Sequence, residues 1–345
     1  MKILITGVHG FVGTNLVKAL SKEHTIYGLD IINPVKEGVE KTFSWDSLSN
    51  ENEDENEKIP LVDAIIHLAG KAHDTKNEAA ADVYFKVNTG LTQKIFDYFL
   101  AQPKCKKFVF FSTAKAAADK VEGILTEDVV PSPVGPYGES KIKAEEYILN
   151  QFKEFNSLRV QDTNNSTLST DSKLSTINSQ LPAKQVYIFR PCMIHGPGNK
   201  GNLNLLYGVV SKGIPWPLGA FENRRSFTSI GNLQEVIKGL LTKDAPSGIY
   251  HMGDDEALST NELIEVICSA LGKKAQIWNI PRGLMNGVAK IGDVLHLPLN
   301  TQRMQKLTEN YVVSNAKIKA ALGMKEMPIR AKDGLRDTIK SFSNK

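Results

Sequence analysis

A glycine-rich turn close to the start of the chain constrains the fold more than any other feature. Gly7, Gly10 and Gly13 stand at G-x-x-G-x-x-G spacing, after the strand-like run Lys2 to Thr6 and before the helical pattern Phe11 to Leu20. In such a turn the first glycine permits a tight bend, the second lets backbone N–H groups approach a pyrophosphate, and the third lets the helix pack closely on the sheet. The turn therefore predicts dinucleotide binding, whereas a bare glycine triplet without these flanks is more often a plain loop.

Asp30 indicates which dinucleotide is bound. It ends the second predicted strand, at roughly the twenty-residue offset where a carboxylate accepts hydrogen bonds from an adenosine ribose. A 2′-phosphate at this position would meet a like charge, so NAD is favoured over NADP. The alternative is a strand-end aspartate that simply faces solvent.

The first two thirds of the chain alternate short apolar runs with longer helical patterns, which is typical of βαβ units. The predicted strands are Lys2 to Thr6, Thr25 to Asp30, Ala64 to His67, Phe108 to Ser112 and Val186 to Arg190. The predicted helices are Phe11 to Leu20, Tyr84 to Leu100 and Gly138 to Phe155. We therefore expect an α/β fold, a Rossmann-like doubly wound parallel sheet with a smaller C-terminal mixed α/β substrate lobe.

Changes in composition along the chain predict two domains. Residues 1–190 are expected to form an NAD-binding Rossmann domain, interrupted by an exposed polar insertion near 156–184. Residues 191–345, punctuated by Gly and Pro, are expected to form mainly the substrate-binding lobe, with some segments returning to the Rossmann domain. The acidic run Asn50 to Lys58 is expected to be a solvated loop.

Composition narrows the class of protein. The formal net charge of +4 is small for 345 residues and the basic residues are scattered, so we expect no nucleic-acid partner. No run is apolar enough to span a membrane, so we expect no membrane partner. Cys105, Cys192 and Cys268 lack paired spacing, which argues against disulfides and against a metal site. The N-terminal residues resemble a strand rather than a signal peptide, and we expect a cytoplasmic location.

Tyr137 and Lys141 form a candidate catalytic pair. They stand four residues apart on a predicted helix, so their side chains share one face. A free tyrosine has a pKa of roughly 10, and nearby cations such as Lys141 and an oxidised nicotinamide favour its phenolate. Ser112 and Thr113 end a predicted strand, and either hydroxyl can bind the reacting oxygen there. By itself the pair also fits a chance match on a surface helix, and the hydroxyls fit plain strand-end residues.

Further motifs follow in order over nearly the whole chain, apart from Asn50 to Lys58 and Asn156 to Lys184. The full set is Gly7-x-x-Gly10-Phe11-Val12-Gly13, Asp30, His67-Leu68-Ala69-Gly70, Val87-Asn88, Ser112-Thr113, Tyr137-x-x-x-Lys141 and Arg190-Pro191 through Gly196-Pro197. Together these motifs resemble the extended short-chain dehydrogenase/reductase family. The nearest branch is the NAD-dependent nucleotide-sugar epimerases and dehydratases, typified by UDP-galactose 4-epimerase.

The resemblance implies NAD as cofactor, a nucleotide-diphosphate sugar as substrate and a homodimer. It implies the catalytic triad Thr113, Tyr137 and Lys141. The residues that it implies for the cofactor are Gly7, Gly10, Phe11, Val12, Gly13, Asp30, Asp46, Leu68, Ala69, Asn88, Ser112, Tyr137, Lys141 and Pro191. Those that it implies for the substrate are Thr113, Met193, Asn202, Leu203, Arg225 and Arg303, of which the two arginines would bind the diphosphate. Solvated surface side chains are the alternative for Asn202, Leu203 and both arginines.

Departures from the family pattern narrow the expected reaction. The dehydratases carry Asp-Glu after the catalytic hydroxyl residue, but Ala114 and Lys115 follow Thr113 here, so water elimination is not expected. Met193 stands where some galactose epimerases carry Asn, which leaves strict galactose/glucose specificity open.

The sequence thus predicts a 4-epimerase that acts on a UDP-hexose or UDP-N-acetylhexosamine through a transient 4-keto sugar. One alternative uses the same residues in one direction, as an NAD(P)H-dependent reductase of a UDP-4-keto-(6-deoxy)-N-acetylhexosamine. Another is a catalytically dead, cofactor-binding regulatory protein, which the intact Tyr137–Lys141 pair disfavours.

Overall fold

A computed structural model describes residues 1–48, 58–72, 80–165, 183–199, 201–295 and 300–343. Contacts divide the chain into two compact units. Unit one comprises Met1–Asp119, Val130–Arg190 and Lys238–Tyr250. Unit two comprises Lys120–Val129, Pro191–Ile237 and His251–Lys345.

The regular elements are numbered in chain order. The strands are β1 (Lys2–Thr6), β2 (Thr25–Leu29), β3 (Lys41–Phe43), β4 (Ala64–His67), β5 (Lys107–Phe111), β6 (Ile124–Leu125), β7 (Gln185–Pro191), β8 (Met193–His195), β9 (Phe227–Ser229), β10 (Gly248–Met252) and β11 (Val312–Val313). The helices are α1 (Phe11–Leu20), α2 (Ala81–Tyr84), α3 (Leu91–Ala101), α4 (Ala114–Ala117), α5 (Pro136–Asn165), α6 (Asn202–Ser211), α7 (Ile230–Thr242), α8 (Thr260–Ala270), α9 (Arg282–Leu295), α10 (Thr301–Thr308), α11 (Ala316–Leu322) and α12 (Ala331–Ser343).

Unit one is built on a seven-stranded sheet in the order β10-β7-β5-β4-β1-β2-β3. β1 pairs in parallel with β2 and β4, and β5 pairs in parallel with β4 and β7. The chain thus starts in the middle of the sheet and winds outward in both directions, which confirms the Rossmann-like fold. The strands are apolar along their length because both faces are covered; β4 and most of β5 are buried.

One predicted helix, Tyr84 to Leu100, is interrupted. α2 ends at Tyr84, a π-helical turn spans Phe85–Gly90, and α3 begins at Leu91. The pattern of apolar residues continues through the interruption, so the sequence did not reveal it. Single π-helical turns within helices frequently mark functional sites.

The polar stretch predicted as an insertion near 156–184 begins as helix instead. α5 continues to Asn165, well past its predicted end at Phe155. Its Glu-, Lys- and Ala-rich start favours helix, and a polar composition does not prevent a helix from continuing. Residues 166–182 lie outside the described residues, as does most of the predicted loop Asn50 to Lys58.

Lys184, at the far end of that stretch, belongs to the folded core. It is buried, and its ammonium donates to three carbonyl oxygens at the end of α3, at 2.9, 2.7 and 2.8 Å, those of Phe99, Gln102 and Cys105. A cation at a helix C-terminus satisfies carbonyls that lack intrahelical partners and complements the negative end of the helix dipole.

Unit two is a mixed α/β body with its own apolar core. Two small parallel ladders, β8–β9 and β6–β11, lie in it. Buried side chains from α6, α8, α9 and α12 pack together, among them Leu203, Ile267, Ala289 and Leu335. A capping box at the start of α8 fixes that helix, because Ser259 and Glu262 each bind the other's backbone N–H.

Candidate active site

The glycines at the turn between β1 and α1 occupy positions where a side chain would meet backbone atoms. Gly7 has a φ of 67°, in the left-handed region, and a Cβ there would lie 3.0 Å from the backbone nitrogen of Ala69. A Cβ on Gly13 would collide with the carbonyl oxygens of Gly7 and Val8. The first N–H groups of α1 lack intrahelical partners, and the N-cap Gly10 has no side chain to bind them. The turn is therefore a backbone site for an anion at the positive end of a helix.

The strand-end carboxylate predicted to select the cofactor lies beside this turn. Asp30 follows β2, and its side chain accepts hydrogen bonds from the backbone N–H groups of His9 (3.1 Å) and Ile31 (2.8 Å). These bonds fix the carboxylate next to the glycine turn. Asp46 is exposed, one turn beyond the end of β3, where its N–H donates to the Ser44 hydroxyl at 3.2 Å.

A directed chain of hydrogen bonds fixes the end of β4. Thr92 donates its single hydroxyl proton to the Asn88 carbonyl (2.6 Å), so it accepts from Nε2–H of His67 (2.9 Å). Nδ1 of His67 then accepts from the Thr6 hydroxyl (2.7 Å). That hydroxyl also accepts from the two N–H groups after the strand, those of Leu68 and Ala69. Burial, and to a smaller extent the Lys141 charge, hold the pKa of His67 well below its usual 6.5, so the ring stays neutral.

Asn88 connects this strand end to the helix that carries the candidate catalytic pair, Tyr137 and Lys141. It is fully buried within the π-helical turn. Its amide oxygen accepts from the Lys71 N–H at 2.8 Å, and its amide nitrogen donates to the Lys71 carbonyl (3.1 Å) and to the Ser140 hydroxyl (3.0 Å). Asn88 therefore holds the segment after β4 against α5.

Thr113, Tyr137 and Lys141 meet where β5 ends and α5 begins. Tyr137 shares a hydrogen bond with the Thr113 side chain, and Lys141 Nζ donates to the Phe111 carbonyl at 2.8 Å. Burial raises the pKa of Tyr137, and the bond with Thr113 opposes that rise. Burial lowers the pKa of Lys141 to about 8, and the charge of Glu145 opposes that fall. The three side chains thus form one group, in which Thr113 and Lys141 are buried and Tyr137 is half-buried, with a neutral phenol next to a lysine that is mostly protonated at neutral pH.

A buried ion pair lies directly behind this group. Glu145 and Arg190 are each 1% exposed, and the guanidinium donates to the carboxylate from Nε at 2.9 Å and from Nη2 at 2.5 Å. The Ser112 hydroxyl donates to the same carboxylate. Of the two candidate hydroxyls, that of Thr113 therefore lies next to Tyr137, whereas that of Ser112 is hydrogen-bonded to Glu145.

Two neighbours of the site were missed by the sequence reasoning. Glu145 stands four residues after Lys141 on the same helical face, a spacing that could have revealed it. Tyr84 is buried with its ring edge-on to Tyr137, the two centroids 6.4 Å apart. The Lys71 ammonium lies 5.7 Å from the centroid of the Tyr84 ring. No spacing rule pairs Tyr84 with a residue so far along the chain.

The segment after Thr113 carries no acid at the two positions where the dehydratases that the sequence resembles carry Asp-Glu. Ala114, Ala116 and Ala117 are buried in the short helix α4. Lys115 pairs with Asp119 at 2.6 Å, and both side chains are partly exposed. Among the described residues, no three His, Cys, Asp or Glu side chains cluster as a metal site.

The predicted site residues in unit two, Pro191 for the cofactor and the others for the substrate, differ in their surroundings. Pro191 and Leu203 are buried, and Met193 is half-buried against the same core as Leu203. The side chain of Leu203 therefore packs in that core, which leaves only its backbone for a substrate contact. Asn202 and Arg303 are exposed.

Arg225 is the most constrained of these residues. Its guanidinium donates from Nη1 to the Lys306 carbonyl, and its backbone pairs with that of Leu258 at 2.9 Å in both directions. Burial lowers its pKa, and the nearby Glu309 opposes this. An arginine in this state carries a partly desolvated charge, which suits a diphosphate group.

The groups of unit one fit a bound dinucleotide. The first N–H groups of α1 supply backbone donors for phosphates, and Asp30 supplies an acceptor at the strand end. The Thr113–Tyr137–Lys141 group can exchange a proton with a substrate hydroxyl.

Comparisons with known proteins agree with this geometry. The model of the NAD dependent epimerase/dehydratase family matches residues 3–253. The UDP-glucose 4-epimerase of Vibrio cholerae is 29% identical over 99% of this chain and 95% of its own length. The N-acetyl-alpha-D-glucosaminyl-diphospho-ditrans,octacis-undecaprenol 4-epimerase of Escherichia coli O157:H7 is 22% identical over 92% of this chain and 84% of its own.

A solved structure shows the same fold. The UDP-glucuronic acid 4-epimerase of Bacillus cereus, determined with NAD, superposes with a TM-score of 0.67 over 100% of this chain and 99% of its own, at 19% identity.

Proposed function

Since the chain belongs to the NAD-dependent epimerase/dehydratase family, we propose that it is a nucleotide-sugar 4-epimerase that acts on a UDP-hexose or UDP-N-acetylhexosamine. The protein is an NAD-dependent enzyme of the extended short-chain dehydrogenase/reductase type. The 4-epimerase activity and the identity of the sugar are the proposed part.

The observation that carries the proposal is the Thr113–Tyr137–Lys141 group, with Ala114 and Lys115 directly after Thr113. Tyr137 and Thr113 can take a proton from a sugar hydroxyl and later return it. Ala114 and Lys115 occupy the positions where elimination of water needs a carboxylic acid and a carboxylate. These residues favour hydride transfer at one carbon without loss of water.

The charges of the site indicate how the proton transfer is controlled. Because burial raises the pKa of Tyr137, the protein alone keeps it a phenol. Lys141, with a pKa near 8, supplies one positive charge at neutral pH, and its bond to the Phe111 carbonyl holds that charge in place. A second positive charge beside the ring would further favour the phenolate.

The bound cofactor would supply that charge, and NAD would accept the C4 hydride and later return it. The glycine turn and Asp30 would hold its pyrophosphate and ribose, and Asn88 would fix the segment beside it. Loss of the C4 hydride would leave a 4-keto sugar, and return of the hydride to the opposite face would invert C4. Such a reaction leaves no net change in NAD.

A second substrate form shares this chemistry. The name of the E. coli relative describes an N-acetylglucosaminyl diphosphate joined to a polyprenol rather than to a nucleoside. The same triad would serve a lipid-linked sugar, because C4 is remote from the diphosphate. An exposed apolar surface on α9, described below, favours this second candidate.

One experiment tests the proposed activity. The protein is purified without added cofactor, its bound nucleotide is identified, and it is incubated with UDP-glucose or UDP-N-acetylglucosamine. We expect retained NAD, conversion to the C4 epimer by chromatography, and no net NADH absorbance. Tyr137→Phe should lose conversion by at least about 10²-fold while it retains NAD. Tyr147→Phe, which removes another phenol of α5 that binds Asp97, is the matched control.

The reductase alternative gives the opposite pattern. No sugar would be inverted, and a 4-keto sugar nucleotide would consume reduced cofactor in stoichiometric amount. A regulatory protein would retain NAD and do neither. Either pattern would overturn the proposed epimerase.

A further inference from the structure

Helix α9 is attached to unit two by one narrow face. Met285, Ala289 and Gly292 are its buried residues, at spacings of four and three, and the two with apolar side chains belong to the unit-two core. A second row of apolar residues lies on the same helix, and three of its members each directly precede one of these buried residues. Within the part of the chain that the structure describes, those residues are exposed.

The uncovered row, termed here the α9 stripe, consists of Leu284, Val288, Ile291 and Leu295. Their exposed fractions are 62%, 39%, 56% and 62%, and Val294 next to them is 76% exposed. The spacing of four, three and four places them along one side of the helix. Single exposed apolar side chains are ordinary, but a continuous row on one helix marks a contact surface.

The charge around the stripe indicates the kind of partner. The segment Pro281 to Thr308, which includes α9 and α10, contains four basic residues, Arg282, Lys290, Arg303 and Lys306, and a single acidic residue, Asp293. The segment therefore has an excess of three positive charges. Its carboxylate is already engaged, because Asp293 accepts hydrogen bonds from Thr301 at the start of α10. Trp278, just before α9, is 55% exposed, and tryptophan favours the boundary between apolar and aqueous phases.

This charge distinguishes a lipid surface from a second copy of the chain. A two-fold contact through the α9 stripe would bring two copies of the same basic segment together, and they would repel. Anionic lipid headgroups would attract the segment while the stripe enters the apolar boundary. A helix of this length extends about 21 Å, which suits a helix that lies in the surface plane.

We propose that the α9 stripe docks unit two on an anionic membrane surface. Among the described residues no helix is long and apolar enough to cross a bilayer, so the contact is peripheral. We expected no membrane partner because no apolar run in the sequence could cross a bilayer. That reasoning does not apply to a helix that lies on the membrane surface.

Vesicle binding of the full-length protein tests the proposal. The probes are phosphatidylcholine vesicles with and without about one third phosphatidylglycerol, at low and high salt. We expect sedimentation with the anionic vesicles, weakened by salt and by Lys290→Glu. The double variant Ile291→Ser/Leu295→Ser should lower the partition coefficient by about tenfold or more.

The matched control removes two exposed aliphatic side chains of unit one, Val35→Ser/Leu158→Ser, whose residues are 104% and 48% exposed. It should bind vesicles like the wild type. Turnover of a water-soluble UDP-sugar without vesicles should be unchanged in every variant, so loss of docking and loss of the proposed activity are separable. Failure of the wild type to bind anionic vesicles would overturn the proposal. So would a concentration-dependent dimer in light scattering that Ile291→Ser/Leu295→Ser abolishes, since that result would assign the stripe to a second copy.

Discussion

At the residue scale, the candidate site depends on charges that are buried in pairs. Glu145 serves three neighbours at once, since it binds Arg190 and Ser112 and opposes the fall in the Lys141 pKa. Removing one partner of a buried pair leaves an uncompensated charge, which costs more than the pair contributes to folding. Glu145 is therefore a positioning residue, and its replacement affects the site because it changes the pKa of Lys141.

Replacing Glu145 tests this view. Glu145→Gln should lower the free energy of unfolding by about 3–5 kcal/mol, because Arg190 remains buried without its counter-charge. Urea denaturation followed by circular dichroism measures it. Glu146→Gln, on the exposed side of the same helix, should change the value by less than about 0.5 kcal/mol.

Replacing both partners should recover most of the loss. In Glu145→Met/Arg190→Leu no buried charge is left unpaired, and apolar side chains of similar size fill the space. A Glu145→Gln variant as stable as the wild type would contradict the account of this pair.

A substitution at Gly13 provides a second test at the residue scale. A Cβ there meets two backbone carbonyl oxygens, which cannot move without opening the turn. Gly13→Ala should lose about 1–3 kcal/mol of stability and should no longer retain NAD through purification. The control Gly208→Ala places a methyl group in open space on α6 and should be neutral or slightly stabilising. Full NAD retention in Gly13→Ala would show that the turn is not the cofactor cradle.

At the element scale, local sequence was sufficient to predict the strand, turn and helix at the start of the chain. It was not sufficient to predict all boundaries of the elements around Tyr137. β1, α1 and β4 begin and end where the sequence predicted, because each has an uninterrupted apolar pattern between turn residues. The prediction missed the π-helical turn at Phe85–Gly90, and it was wrong about where α5 ends. The periodicity of apolar residues does not distinguish a π-helical turn, which holds one extra residue, from a regular α-helical turn. A polar composition does not exclude a helix.

The site itself divides in the same way. Tyr137 and Lys141 are near in sequence, so helical spacing identified them as a pair. Arg190 reaches Glu145 only because β7 lies next to β5 in the sheet, and no local pattern contains that order. The choice between Ser112 and Thr113 likewise depends on which side of the strand end faces α5.

The hydrogen-bond chain between β1, β4 and α3 predicts a pH dependence. His67 has a pKa well below the value of about 6.5 expected for the unfolded chain, so unfolding takes up a proton at acidic pH. Its contribution to stability is complete above about pH 6.5 and is lost as the pH falls towards its folded pKa. The loss has a slope of up to about 1.4 kcal/mol per pH unit.

The measurement is urea unfolding at several pH values between 7.5 and 5. Gln at position 67 supplies a donor and an acceptor without titrating, so His67→Gln should show a shallower decline than the wild type. His24→Gln, in the turn between α1 and β2, should decline like the wild type. Identical slopes for the wild type and His67→Gln would contradict a neutral, buried His67.

At the scale of the whole molecule, the chain combines a cofactor-binding sheet with a second unit that carries the predicted diphosphate arginines. The family match extends through unit one and into unit two, and the V. cholerae relative spans almost the entire chain. The sugar, its carrier and the direction of the reaction are decided by side chains that these similarities do not fix. The predicted homodimer and the predicted cytoplasmic location stay predictions.

The central claim is that one carbon of the sugar is oxidised and reduced again within a single site. The most direct test uses UDP-glucose and UDP-N-acetylglucosamine that carry deuterium at C4, with the product epimer analysed by mass spectrometry. An epimerase that returns the same hydride should give an inverted sugar that retains the deuterium, with no net NADH. An inverted sugar without the deuterium, or a 4-keto product with stoichiometric NADH, would contradict the proposed reaction.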